Sequence, residues 1–435
     1  MAYLRRQVIT SALIANALRP SHGLRVGIPS FAAGWITNEL APHLLTLTAA
    51  DTLTHLTPKR RSRLGLALAA ANAAGFVHIM RSANQVKDGV EEALVEGIGV
   101  DYVERLDAAP SPAELKTNWR KLVNPFRIVD PGVEVLRDII YDPTTGSRGK
   151  LDIYRPRDVD LNNAPVLFQV HGGGWTIGDK SQQGLPLMSH LASKGWVCVA
   201  INYRLSPRSA FPAHIIDVKK AIAWTRENIA DHGGDPNYIA ITGGSAGGHL
   251  AALAAVTGND PDFKPGFEDK DTSVQVAVPH YGVYDFAGAT GLKSAIAMRD
   301  RFLGPRVLKK KWRDAPDDFE AASPLLRIKP GAPDFFVMHG TNDTLVDVNQ
   351  ARLFVEKLRQ VGGASVVYAE LPGAQHAYDI FNSVRCGHVV KAIDRYLHWH
   401  WNGYRQGVDP AEADAEQIIA DAEAEAASEA DSQSR

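Results

Sequence analysis

The 435-residue chain reads as an α/β protein, with a mostly parallel, eight-stranded sheet covered by helices on both faces and preceded by a helical N-terminal cap or extension. Three observations predict this. From residue 133 onward, short apolar runs alternate with stretches of helical spacing. The first 130 residues are rich in Ala and Leu, with helical spacing and little strand-like alternation. The glycine-rich and polar segments that stand out come directly after strand-like runs, where an open parallel sheet gathers its functional groups.

In chain order, residues 1–130 form the helical extension, with 29–53 and 64–80 as its most regular stretches. The second of these has no charged residue, yet it is Ala-rich, contains Asn72 and His78 and is shorter than a usual membrane span, so a packed cap is the better reading. Over the first 65 residues Arg5, Arg6, Arg19, Arg25, Lys59, Arg60, Arg61 and Arg63 outnumber Glu39 and Asp51. That imbalance keeps peripheral membrane contact through these helices as a further expectation. The apolar stretch after Arg5 and Arg6 is too short and polar for a cleaved signal peptide, which leaves the location between the cytoplasm and a membrane or cell envelope.

Residues 131–405 form the main domain. Its strands are expected at 133–141, 151–154, 165–170, 196–201, 238–242, 274–281, 334–339 and 365–371. Helices fall between them, among them 186–194, where Pro186 suits a first turn, and 217–229. A helical region at 287–320 interrupts the alternation; its Lys309, Lys310 and Lys311 read as a solvated surface. The tail, 406–435, is Ala-, Glu- and Asp-rich and is expected to be a frayed acidic helix or disordered.

An apolar content of 45% with 22% charged residues describes a globular protein, and a net charge of −2 gives no reason to expect nucleic acid as a partner. Two cysteines, Cys198 and Cys386, far apart in the chain, do not make a disulfide framework. His214 with Asp217 and His232 with Asp235 are pairs without a third ligand nearby, so no metal site and no cofactor are expected.

The chemistry concentrates at Gly243-Gly244-Ser245-Ala246-Gly247, between a strand and an Ala-rich helix. Small residues on both sides suit a sharp turn in which strand and helix pass closely, with the serine hydroxyl held at a helix N-terminus. A nucleophilic serine needs a base, an orienter for that base and donors for an oxyanion. The strand 165–170 ends in His171-Gly172-Gly173-Gly174-Trp175, whose uncovered amides suit oxyanion binding, with His171 bracing the loop. Asp343 follows the strand 334–339 and His376 follows the strand 365–371. Asp347 competes for the orienter's place, but Asp343 lies nearer the strand end; His249 and His339 sit inside regular elements and read as packing residues. The order Ser, Asp, His is that of the α/β-hydrolases.

With Asn202-Tyr203-Arg204-Leu205-Ser206-Pro207 and Phe211-Pro212-Ala213 added, these motifs resemble the hormone-sensitive-lipase branch of the α/β-hydrolases. More narrowly, the chain is similar to mycobacterial Lip-type esterases with an N-terminal helical extension. The resemblance runs from about residue 133 to about residue 401. It implies an α/β-hydrolase fold, with Ser245 as nucleophile, His376 as base, Asp343 as its orienter, and the N–H groups of Gly172, Gly173 and Ala246 as oxyanion donors. It also puts Trp175 and Tyr203 near the substrate pocket and allows 287–320 to act as a lid. The family usually carries an acidic residue directly before the serine, where this chain has Gly244; that departure bears on the rigidity of the turn and leaves the chemistry in place.

The expected function is a serine carboxylesterase or lipase that hydrolyses short- to medium-chain carboxylic esters through an acyl-enzyme. Its partner is a small-molecule or lipid ester, and the sequence leaves its oligomeric state open. Two alternatives share the scaffold: a serine peptidase or amidase, and a catalytically silent ligand-binding protein. The second resembles the plant gibberellin receptors, which lack the histidine that this chain keeps at position 376.

Overall fold

A computed structural model describes residues 2–23, 26–57 and 62–407. The acidic tail from residue 408 lies outside the described residues, as do Arg25, Lys59, Arg60 and Arg61 of the N-terminal basic set. Four helices come first: α1 (Ala2–Leu18), α2 (Gly27–Glu39), α3 (Ala41–Leu53) and α4 (Arg63–Ile98), followed by a short α5 (Trp119–Val123). Each expected strand then forms: β1 (Val133–Ile140), β2 (Lys150–Pro156), β3 (Ala164–Val170), β4 (Val197–Ile201), β5 (Gly234–Gly244), β6 (Val276–His280), β7 (Asp334–Gly340) and β8 (Val366–Leu371). The intervening helices are α6 (Leu185–Ala192), α7 (Ala213–Asn228), α8 (Ala246–Val256), α9 (Lys293–Met298), α10 (Pro316–Ala321), α11 (Pro324–Arg327), α12 (Asn349–Val361) and the closing α13 (Val384–Gln406).

The eight strands make one sheet in the order β1-β2-β4-β3-β5-β6-β7-β8. From β4 to β8 all neighbours are parallel, while β1 and β2 add an antiparallel edge. Alternation along the strands divides the core. Val166 and Phe168 of β3 face α7, α8 and α12 through Ile222, Leu250 and Phe354. Leu167, between them, faces the opposite layer with Leu191 of α6 and Ile393 of α13.

That second layer also contains Val86, Val90 and Leu94 of α4, so the long N-terminal helix runs from the helical extension into the cover of the sheet. Its first half packs Phe76 and Ile79 against Ile14 and Ala41 of α1 and α3. Asn72, the polar interruption of the apolar stretch, is satisfied there. It donates to the Gln7 carbonyl at 3.0 Å and accepts from Ser11 Oγ at 2.8 Å.

A buried ion pair locks α2 to α13. Glu39 and Arg385 are 3% and 1% exposed and hydrogen-bond directly, and Ser383 Oγ donates to Glu39 Oε2 at 2.6 Å. Burial raises the Glu39 carboxyl above its ordinary range, opposed by the charge of Arg385. Arg385→Met leaves that carboxylate uncompensated, and the expected loss in urea unfolding is roughly 3–5 kcal/mol. The loss should shrink as pH falls, because protonating Glu39 removes the orphaned charge, and Glu39→Gln in the same chain should recover part of it. A pH-independent loss would show that the charge is not the cause.

Candidate active site

Ser245 joins β5 to α8 with φ 60° and ψ −120°, a conformation that costs a non-glycine residue energy and persists only where its surroundings hold it. The surroundings are backbone. Ser245 N–H donates to the His280 carbonyl at 3.0 Å, and the Ser245 carbonyl accepts from His249 N–H at 2.9 Å, which starts the helix. At Gly247 the chains pass so closely that a Cβ would lie 2.1 Å from the Val170 carbonyl oxygen.

Gly244 is explained by a residue that sequence reasoning missed. A Cβ at position 244 would lie 2.7 Å from Tyr281 Cζ. Tyr281 is buried, its hydroxyl donates to Asp379 Oδ1, and its ring centre is 4.5 Å from that of His376. Burial raises this phenol well above its usual range, so it stays protonated as a donor. The space that the family's acid would take is filled by a tyrosine that reaches the carboxylate of Asp379. Gly244→Asp should therefore displace Tyr281 and cost roughly 1–3 kcal/mol of stability. An unfolding midpoint equal to the parent's would contradict this placement of the phenol.

The Asp343 and His376 segments meet at the carboxyl ends of β7 and β8. His376 Nδ1 lies 2.6 Å from Asp343 Oδ2, with both residues buried. Asp343 Oδ1 accepts from the N–H groups of Leu345 and Val346 at 2.8 and 2.9 Å. His339, read from sequence as a packing residue, also reaches this carboxylate, its Nε2 3.2 Å from Oδ2. Burial alone would raise the Asp343 carboxyl, but His376 and His339 outweigh it and hold the group well below the carboxylate range. Gln375 Oε1 ties the two loops together, accepting from Thr344 N–H at 2.8 Å and from His376 N–H at 3.0 Å. Asp347 is elsewhere: its carboxylate accepts from Asn349 N–H and Ser294 Oγ at the start of α12.

Between Ser245 Oγ and His376 the structure contains no hydrogen bond; the two residues are neighbours through Tyr281, which touches the position before the serine and the ring of the histidine. Catalytic hydrogen bonds in substrate-free sites often close only on binding. The N-terminal helices grip both loops from above. Thr344 Oγ1 donates to the Gly27 carbonyl, Asn342 Nδ2 to the Ala17 carbonyl and Asn38 Nδ2 to the Gly373 carbonyl, at 3.0, 3.1 and 3.3 Å. Phe31 of α2 stands edge-on to His376, with ring centres 5.8 Å apart.

Three of the expected site residues, Gly172, Trp175 and Tyr203, make contacts within the protein. Gly172 N–H, expected to face an oxyanion, donates instead to Gln183 Oε1 at 2.6 Å, so this donor is already engaged. The N–H groups of Gly173, Gly174 and Ala246 have no acceptor among the described residues, and Gly173 and Gly174 take φ of 111° and 58°. Trp175 is buried and donates through Nε1 to His249 Nδ1 at 3.2 Å, packed on Phe286. Tyr203 is buried too, stacked on His171 and donating to its carbonyl at 2.9 Å. Both aromatic residues spend their polar atoms holding the loop and present none to a substrate. His171 braces the loop through Nδ1 and the Gly172 carbonyl at 2.7 Å, and burial lowers its pKa to about 4.

Two concavities of about 760 and 1110 Å³ run along α13, and neither is lined by Ser245, Asp343 or His376. Among the described residues no three His, Cys, Asp or Glu side chains are grouped as metal ligands.

The BD-FAE family model matches residues 151–358. The chain is 43% identical to the probable carboxylic ester hydrolase LipM of Mycobacterium tuberculosis, over 93% of this chain and 94% of that one. It is 42% identical to the esterase LipQ of the same organism, over 84% and 83% of the two chains. Among solved structures, Thermogutta terrifontis esterase 2 phosphonylated by sarin superimposes with a TM-score of 0.53 and 27% identity, over 61% of this chain and 94% of that one. The chain thus belongs to the Lip-type carboxylic ester hydrolases of the α/β-hydrolase superfamily.

Proposed function

We propose that this protein is a serine carboxylesterase whose nucleophile is Ser245, with His376 as base and Asp343 as its orienter. The observation that carries the reading is the buried 2.6 Å contact of His376 Nδ1 with Asp343, linked through the ring of Tyr281 to the residue before a serine held at positive φ. Asp343 fixes the tautomer that leaves Nε2 unprotonated, so this nitrogen takes the Ser245 proton as the oxygen attacks the ester carbonyl. Gly173, Gly174 and Ala246 donate to the oxyanion, each worth on the order of 100-fold or more in turnover. Collapse breaks the ester bond and His376 returns the proton to the leaving alcohol. Water, deprotonated by the same nitrogen, then releases the acid.

The phosphonylated relative supports a covalent nucleophile in this family. Stoichiometric labelling by an organophosphonate, with the adduct mapped to Ser245, tests the assignment; a label on another residue sinks it. The helical extension acts as a cap that holds the Asp343 and His376 loops. The 287–320 region acts as a lid, supported by Phe302, whose ring edge lies 3.3 Å from the Cβ position of Gly174. A chain-length series of p-nitrophenyl esters should peak at short to medium acyl chains, and the ester should react far faster than the anilide of the same acid. The N-terminal helices make peripheral contact with a membrane, supported by α2: it has no charged residue before Glu39, and its Ile28 and Ile36 are exposed.

A further inference from the structure

The segment from Trp119 to Arg127 inverts the usual partition of a globular surface. Trp119, Val123 and Phe126, spaced as i, i+4 and i+7, are 54%, 82% and 66% exposed, while Leu122 and Pro125 turn inward. Between residues 115 and 129 there are four cations, Lys116, Arg120, Lys121 and Arg127, and no acidic residue. Arg120, Lys121 and Arg127 are exposed and have no ion-pair partner among the described residues.

The segment is firmly held. The Leu122 carbonyl lies 2.7 Å from His43 Nε2 of α3, and the Pro125 and Arg127 carbonyls accept from Asn382 on the loop after His376. A line of rings then leads to the base: Phe126 to Phe381 at 5.2 Å, Phe381 to Trp35 at 5.4 Å, Trp35 to Phe31 at 5.8 Å, and Phe31 to His376 at 5.8 Å.

We infer that residues 119–127, together with the exposed face of α2, form a docking surface for an anionic lipid bilayer, which sets the His376 side of the site against the lipid. Exposed aromatic and aliphatic side chains enter the headgroup boundary, and unpaired cations meet its negative charge. A protein partner would equally cover the apolar residues, but the uniform positive charge among them selects an anionic surface. The inference deepens the ester-hydrolase reading by naming where its substrate is met, and it rests on that reading only for that purpose.

The test is sedimentation of the full chain with vesicles of phosphatidylglycerol and phosphatidylcholine, or of phosphatidylcholine alone, at low and high salt. Hydrolysis of a soluble p-nitrophenyl ester is measured alongside. The parent should bind the anionic vesicles and release them at high salt. Arg120→Gln with Lys121→Gln should weaken binding roughly 30-fold, at about tenfold per 1.4 kcal/mol and ~1 kcal/mol per cation. Trp119→Glu with Val123→Glu should do the same, Trp119→Phe should restore it, and soluble-ester hydrolysis should stay at the parent's level throughout. A parent that ignores anionic vesicles, or Arg120→Gln/Lys121→Gln and Trp119→Glu/Val123→Glu variants that bind like the parent, would overturn the inference. So would a parent dimer that Trp119→Glu with Val123→Glu turns into monomer, since a second copy would then be the occupant. Failure of the hydrolase reading shows separately, as absent turnover of the soluble ester.

Discussion

Replacing Ser245 by alanine should remove ester hydrolysis, with turnover falling on the order of 10⁵- to 10⁶-fold, as in comparable hydroxyl nucleophiles. The fold should survive, because Ser245 Oγ makes no hydrogen bond among the described residues and the turn is held by the backbone bonds to His280 and His249. The Cβ and its positive φ are unchanged by the substitution, so the strain neither grows nor is relieved. Turnover of a p-nitrophenyl ester and the thermal midpoint are the two readouts. Activity above about a hundredth of the parent's would remove Ser245 from the mechanism. A collapsed midpoint would assign the residue a structural role instead.

The second large effect is expected at Asp343. Asn at this position keeps an oxygen for the N–H groups of Leu345 and Val346, but its amide N–H₂ then faces His376 Nδ1. The imidazole is driven to the tautomer with its proton on Nε2, where it cannot accept from Ser245, and turnover should fall on the order of 10⁴-fold. Asp347→Asn should leave turnover within a few-fold, since Asp347 serves the start of α12 and costs at most about 1 kcal/mol there. The reverse ranking in steady-state kinetics would move the orienter to position 347. A pH series supplies an independent check. The folded-state pKa of Asp343 is depressed, so its contribution to stability is present above the ordinary carboxylate range and lost as pH falls through it towards the folded value. The Asn variant should lack that acid-side component.

Much of this was readable before any coordinates. The strands were legible because runs such as Val166-Leu167-Phe168 and Val197-Cys198-Val199 are apolar on both faces, the mark of a parallel sheet covered twice. Ser245, Asp343 and His376 stood out because each lies at or shortly after the end of such a run. The contacts that were not legible share a cause. Three successive glycines offer equivalent amides in sequence, and only Gln183, eleven positions beyond Gly172, shows that the first is occupied. Trp175 closes the glycine motif and Tyr203 follows β4, and the side chains of both are buried. His339 passed as packing because it sits inside a strand, while its Nε2 reaches the carboxylate at the strand's end.

Local sequence, acting through periodicity, turn chemistry and burial of apolar faces, was enough to determine the sheet, its parallel direction and the loops that carry the candidate residues. Tertiary structure alone decided how the site is supported: Tyr281 filling the space at Gly244, Gln375 stapling two loops, and α2 placing Asn38 on the Gly373 carbonyl and Phe31 against His376. The physical reason is range. A turn or a strand is fixed by neighbours in the chain, whereas a buried polar group is satisfied by whatever the fold brings next to it, here from residues such as Glu39 and Arg385 at opposite ends of the chain.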